Sequence, residues 1–175
     1  MTFTSVILLT FLTLLPADGS TTDTITYQKV VTCTGVEKQV LESSLKEAVY
    51  NLYDSNALKI VSDKIQISVD IKIINSLVGK VGSPAGVLDF TIDIEVKDEK
   101  FRYTAYDFYF TPMTRNRYAK FELEKEKTEP VIEEKFKGRK TLLKKITRQS
   151  EEYLDRLNSE LRAEVVKEKD KKIEW

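Results

Sequence analysis

Catalysis needs a base, a nucleophile or a metal ligand in suitable company, and the 175-residue chain is short of all three. It contains no histidine and a single cysteine, Cys33, which removes the commonest general base and the commonest metal ligands. Cys33 has no second cysteine to pair with, and in a β-branched stretch it reads as a small apolar residue on a strand rather than a reactive thiol. Neither a phosphate-cradling Gly-rich loop nor a Gly-x-Ser-x-Gly elbow occurs. What remains is a set of carboxylates. Asp89, Asp93 and Glu95 fall at even spacings along one alternating stretch and so share one strand face; paired acids could serve a hydrolase, but acids alternating on an exposed strand are ordinarily a solvated face.

Two further groups could make contacts without doing chemistry. Rings crowd the segment holding Phe101, Tyr103, Tyr106, Phe108, Tyr109, Phe110, Tyr118 and Phe121. Core packing accounts for most of them. A period-two strand cannot turn Phe108, Tyr109 and Phe110 all inward, so at least one ring is exposed or packed under a loop, and Tyr106, Phe108, Tyr109 and Phe110 are candidate partner contacts. The second group is basic: Lys135, Lys137, Arg139, Lys140, Lys144, Lys145 and Arg148 follow one another with no acid between. Positive charge at the start of a helix opposes the helix dipole, so helix stability does not explain the run. Lys135, Lys137, Arg139 and Lys140 are candidate anion contacts, either with lipid headgroups or, the favoured reading, with the acidic loop between Glu122 and Glu134.

The elements that position these residues centre on a hairpin over 86–110. Leu88, Phe90, Ile92, Ile94 and Val96 alternate with Asp89, Thr91, Asp93 and Glu95, the pattern of a half-buried antiparallel strand. A reversal at Asp98-Glu99 sets Val96 opposite Phe101, Ile94 opposite Tyr103 and Glu95 opposite Arg102. Glu99 is a poor residue for a two-residue turn, which points to a longer loop. A bulge near Ala105 or Tyr106 is needed to keep Asp107 off the core face, and would bring Tyr106, Phe108 and Phe110 inward.

Before the hairpin, Ile25 to Thr34 predicts a strand. Thr34 and Glu37 have the form of a capping box ahead of a helix with a Leu41, Leu45, Ala48, Val49 and Leu52 stripe, closed by Ser55-Asn56. Leu58 to Ile74 reads as one strand, and Leu77 to Val81 as a short one ended by Gly82-Ser83-Pro84. After the hairpin, Pro112 predicts a strand end, Arg117 to Glu124 an edge strand or excursion, and Thr141 onward a long helix with one apolar face. Two helices and a sheet, each with one apolar face, bury one another when both helices lie on the same side of a curved sheet.

Residues 6–15 form an apolar run too short to span a bilayer, ended by Pro16 and followed by Ala17-Asp18-Gly19. This predicts a signal peptide over 1–19 cut before Ser20, a short disordered lead over 20–24, a single domain over 25–166 and a charged, fraying tail over 167–175 that includes Trp175. No later stretch reaches membrane-span length, so the mature chain carries no transmembrane segment. The 28 basic and 28 acidic side chains balance, and nothing global advertises nucleic acid.

The stretch Ile94-Glu95-Val96-Lys97-Asp98-Glu99-Lys100-Phe101-Arg102-Tyr103, with Gly35-Val36 and Leu77-Val78-Gly79-Lys80, resembles a bacterial family of exported domains of unknown function with a TATA-box-binding-protein-like (TBP-like) fold. The chain departs from that family at Glu99, where glycine is usual, and in the acidic loop before the last helix. The resemblance implies a β-α-β(n)-α saddle and no activity.

The sequence therefore predicts an α+β protein, exported to the periplasm or secreted, acting without catalysis or cofactor as a protein-binding or structural module of the cell envelope. The alternative is a carrier of a hydrophobic small molecule or lipid, which requires a cavity of at least ~300 Å³ between the Phe90/Ile92 face and the Leu154/Leu157 stripe. A hydrolase using Asp89, Asp93 or Glu95 is a distant third.

Overall fold

A computed structural model describes residues 25–61, 64–77 and 80–173. The leader over 1–19, the lead over 20–24, Val78-Gly79 and Trp175 lie outside the described residues. The element order is β1 (Tyr27–Thr32), α1 (Lys38–Leu52), β2 (Leu58–Val61), β3 (Lys64–Leu77), β4 (Lys80–Lys97), β5 (Lys100–Arg115), β6 (Phe121–Leu123), β7 (Glu129–Pro130) and α2 (Lys140–Ile173), with 3-10 turns at Ser55–Ala57, Lys125–Lys127 and Lys137–Arg139. The strands form one curved antiparallel sheet in the order β1-β5-β4-β3-β2, and β6 and β7 both pair with β5.

Both helices pack on one face of that sheet. Ile65, Ile67, Val69, Leu88, Ile92 and Ile94 meet Leu41, Leu45 and Val49 of α1 and Ile146, Leu154, Leu157 and Leu161 of α2 in a single buried core. This is the α+β arrangement that the period-two and period-3.6 patterns require of each other.

The central hairpin has the register read from sequence: Val96 opposite Phe101, Ile94 opposite Tyr103, Glu95 opposite Arg102. Its loop is shorter than expected. Lys97 pairs with Lys100, so Asp98 and Glu99 alone make the turn, and Glu99 takes the left-handed conformation, φ 59°. Contacts to the β1–α1 loop hold it there. The Glu99 carboxylate accepts the Gly35 N–H at 2.8 Å and Asp98 accepts the Lys38 N–H at 3.2 Å, while Cys33 N–H donates to the Glu99 carbonyl and Glu99 N–H to the Val36 carbonyl. The start of α1 is therefore served by the hairpin tip. The capping box expected at Thr34 is displaced, because the helix begins at Lys38 with Glu37 at the capping position and no side-chain cap of its own.

Other boundaries also move. α1 ends at Leu52, before Ser55-Asn56. Leu58 to Ile74 is a hairpin rather than one strand, since β2 folds back on β3 with Ile60 opposite Ile65; the apolar phase switches from even positions (Leu58, Ile60) to odd ones (Ile65, Ile67), and that switch was the available signal for the reversal. Gly82-Ser83-Pro84 lies inside β4. Pro84 stands opposite Ile74, whose N–H and C=O turn away to the side chain of Gln149, so the ladder asks no N–H of proline there. β5 likewise continues through Pro112, whose carbonyl accepts the Glu124 N–H at 2.9 Å. Arg117 to Glu124, expected as an edge strand or an excursion, contains the short strand β6 paired to β5. α2 remains helical from Lys167 to Ile173, where a fraying tail was expected.

The bulge in β5 falls at Asp107 (φ 56°), one residue later than the sequence places it, with the register shifting between Asp89 and Thr91. Phe108 and Phe110 go inward as expected. Tyr106 does not: it precedes the bulge, opposite Thr91, and lies on the outer face.

Gly86, opposite Pro112 at the end of the β4–β5 ladder, is held by space alone. A Cβ there would come within 2.3 Å of the Thr111 carbonyl oxygen and 2.5 Å of the Phe110 ring, whereas one on Gly138 would meet nothing within 4 Å. Gly86→Ala is expected to cost about 3 kcal/mol and Gly138→Ala less than about 0.5 kcal/mol, read from urea unfolding midpoints; equal effects would contradict the close approach.

Candidate functional site

The face of the sheet turned away from the helices carries the candidate carboxylates and the exposed rings, because every second residue of β3, β4 and β5 must point there. Three cross-strand sets form. At the hairpin end, Lys64 pairs with Glu95 at 2.5 Å and Arg102 pairs with the same carboxylate. These partners, Lys64 first and Arg102 second, hold the Glu95 carboxyl below its ordinary range. In the middle, the Gln66 amide donates to Asp93 and to the Tyr106 hydroxyl, each at 3.0 Å, and Tyr106 donates to Asp93 at 3.1 Å. Burial, then the Asp93 carboxylate, pushes the Tyr106 phenol up. At the far end Asp89 sits between Asp70 on β3 and Tyr109 on β5. Burial and the charge of Asp70 push the Asp89 carboxyl up.

The three acids of the hydrolase reading are thus kept apart. Asp89 and Asp93 are about 13 Å apart along the strand and Asp93 and Glu95 about 7 Å, and Glu95 and Asp93 are each committed to neighbours. Neither Asp93 nor Glu95 is left free as a general base, and Asp89 stands two rows further along the strand. Among the described residues no group of three or more His, Cys, Asp or Glu could hold a metal ion. The half-buried Cys33 has its thiol pushed up by burial, against a smaller lowering by Arg162, which disfavours the thiolate.

The four candidate ring contacts divide. Phe108 and Phe110 are core residues, 1% exposed. Tyr106 is half-buried in the Asp93 network. Tyr109 alone is exposed, at 44%. Continuing its face along β5, Met113 and Arg115 lie opposite Leu123 and Phe121 of β6, both of which are exposed, and the turn beyond holds exposed Tyr118 with the Arg117 guanidinium 4.8 Å from its ring centre. This face is the apolar end of an otherwise charged sheet surface.

The basic run also divides. Arg139 makes a bidentate pair with Glu129 (2.6 and 2.8 Å), donates to the Lys135 carbonyl and covers the ring of Phe136, a fully buried anchor. The Arg139–Glu129 contact is one ion pair between the run and the acidic loop. Lys145 donates to Asn75, and Arg148 pairs with Glu152. Among the described residues Lys135, Lys137 and Lys140 form no ion pair. Phe136 and Val131 pin the loop to the core; a lone ring amid charges was the available signal for Phe136.

Between sheet and helices the space is filled by rings. Phe108 stacks on Phe90 at 4.8 Å and Tyr153 meets Phe90 edge-on at 5.8 Å, while Phe90, Ile92, Leu154 and Leu157 are all buried. A cleft of about 370 Å³ lies instead at the β3 edge, between the end of α1 and Ser68-Val69-Asp70, walled by Tyr50, Tyr53 and Tyr153. The Tyr53 and Tyr153 hydroxyls are hydrogen-bonded at 2.6 Å, a pairing that nothing in the sequence signals. Among the described residues no helix is long and apolar enough to cross a membrane.

No family model matches the chain, and no curated protein matches it at a significant level. Among solved structures it is similar to a DUF4468 family protein from Bacteroides ovatus ATCC 8483, with a TM-score of 0.55 and 14% identity over 82% of this chain and 86% of that one. That likeness shows a shared fold. A TBP-like protein from Parabacteroides distasonis ATCC 8503 is similar over 62% of this chain at 12% identity and a TM-score of 0.48, and the chain spans 66% of that protein's length. The fold shared with the DUF4468 family protein agrees with the α+β arrangement that the resemblance implies.

The Asp70–Asp89 juxtaposition has a pH signature. Because the folded Asp89 carboxyl is raised, its charge costs stability above the folded value; the cost is relieved as pH falls through that value and is gone at the unfolded one, near 3.8. Asp89→Asn should therefore raise the Tm at pH 7 by about 2 °C, with the gain shrinking towards zero as pH falls to the ordinary carboxyl range. Thermal melts across that range check it, and a pH-independent gain would contradict it.

Proposed function

We propose that the protein is an exported, non-catalytic binding module of the bacterial cell envelope, and that a protein partner docks on the outer sheet face at Tyr109, Phe121 and Leu123. The observation that carries this reading is the exposure of Tyr109. It is a large ring on an interior strand above a buried core, and further along that strand Met113 and Arg115 stand opposite Leu123 and Phe121, which are about 40% exposed. Completing the burial of such partly exposed groups would gain about 1 kcal/mol each, and tyrosine is a residue type enriched among interface anchors. Export is supported by the apolar run over 6–15 and the small residues before Ser20. The absence of histidine and the dispersal of Asp89, Asp93 and Glu95 support a non-catalytic role. The carrier reading is the weaker one, since Phe90, Phe108 and Tyr153 occupy the space that its ligand would need.

A photo-crosslinking residue at Tyr109 or Phe121, with the protein produced in its own host, is expected to give one recurrent adduct with an envelope protein, and none when placed at Glu151 on the exposed side of α2. Equal adducts at all three positions, or none, would overturn the docking face. Sequencing of the mature N-terminus is expected to begin at Ser20; a chain still starting at Met1 would remove export.

A further inference from the structure

β3 runs from Lys64 to Leu77, but β2 pairs with it only as far as Ile67. From Ser68 to Ile73 the side of β3 turned away from β4 has no strand beside it among the described residues. The edge is closed again at Ile74, where the Gln149 amide accepts the N–H and donates to the C=O, each at 3.0 Å. One side chain does for Ile74 what a strand would do for the whole edge.

The open stretch adjoins the cleft of about 370 Å³ at the end of α1, lined by Tyr53, Asp54, Tyr153 and Ser68-Val69-Asp70 with no basic residue among its walls. Asp70 stands directly opposite Asp89, and neither these two nor Asp54 has an ion-pair partner among the described residues. The next charge on the same face of β3 is Lys72. Edge charges deter self-association, but a fixed order of signs also selects a partner with the complementary order.

We propose that the β3 edge from Ser68 to Ile73 is a strand-addition site for an extended segment of a partner protein, alternating apolar and charged residues, with lysine or arginine opposite Asp70. Main-chain hydrogen bonds to the open edge supply affinity, and alternate side chains supply specificity. The cation lies over the Asp70–Asp89 pair and an acid faces Lys72, while apolar residues opposite Val69 and Ile71 continue the inner face, where Ile71 is only half-buried. The edge lies two strands from Tyr109 with Asp89 between them, and the proposal does not depend on the docking reading.

The test uses the full chain, isotope-labelled for NMR, and a synthetic peptide of alternating valine and charged residues, with lysine set for Asp70 and glutamate for Lys72, beside its charge-swapped twin. The first peptide is expected to bind with a Kd on the order of 100 μM, with shifts and slowed amide exchange centred on Ser68 to Ile73. The twin should bind roughly fivefold more weakly. In a variant carrying Asp70→Lys and Lys72→Glu the preference should reverse, while the comparison of the two peptides on the unaltered chain stands whether or not that variant folds. No shift at about 1 mM peptide, equal affinity for the two peptides, or protection centred elsewhere would overturn the proposal.

Discussion

Up to Ala105 the odd-numbered residues of β5 face the helices, and from Phe108 the even-numbered ones do. The switch occurs at Asp107, held at φ 56°, where two residues of β5 are set against one of β4. The left-handed conformation costs about 1–2 kcal/mol for a residue with a Cβ, less for aspartate than for most. Without it Asp107 would point into the core against Phe90, a heavier penalty for an unpaired carboxylate, and Phe108 would leave the stack that fills the space under Tyr153. The same switch sends Tyr109 outward, onto the face where Tyr106 already lies. The filled core and the exposed ring are two consequences of one backbone irregularity.

That constraint was half legible in the sequence. The alternation from Leu88 to Val96 fixes the hairpin register, and the unacceptable inward Asp107 demands a bulge; its position at Asp107 rather than Ala105 or Tyr106 depends on how β4 and β5 twist together, which no period records. The reversal between β2 and β3 was legible as a switch of the apolar positions from Leu58 and Ile60 to Ile65 and Ile67, although the stretch reads as one strand when only its alternation is counted. The contacts least visible in advance join distant elements: Gln149 closing the β3 edge at Ile74, Asp98 and Glu99 serving the start of α1, and Arg139 gripping Glu129. Composition showed that opposite charges were available to meet near the last helix, but not which arginine would meet which glutamate.

The outer surface shows how the sheet disposes of charge. Glu95 and Asp93 are neutralised or hydrogen-bonded across strands, whereas Asp70 and Asp89 face each other uncompensated. Apolar side chains left in water include Tyr109, Tyr118, Phe121 and Leu123 on the β5–β6 arm, and others at Val30, Ile60 and Val61 on the edge strands. On the outer face the perturbed groups Glu95, Tyr106 and Asp89 fall in separate rows of the sheet. The chain shares this architecture with the DUF4468 family protein, and a fold by itself assigns no role.

The central claim is that the space between sheet and helices is occupied by the protein's own rings, so that recognition happens on the outside. A native mass spectrum of the protein recovered gently from the cells that make it tests this most directly. The account predicts a stoichiometric protein complex whose subunit carries no additional small mass. A subunit that retains a small apolar molecule would contradict it, because that molecule would have to displace Phe90, Phe108 and Tyr153 from the positions they hold.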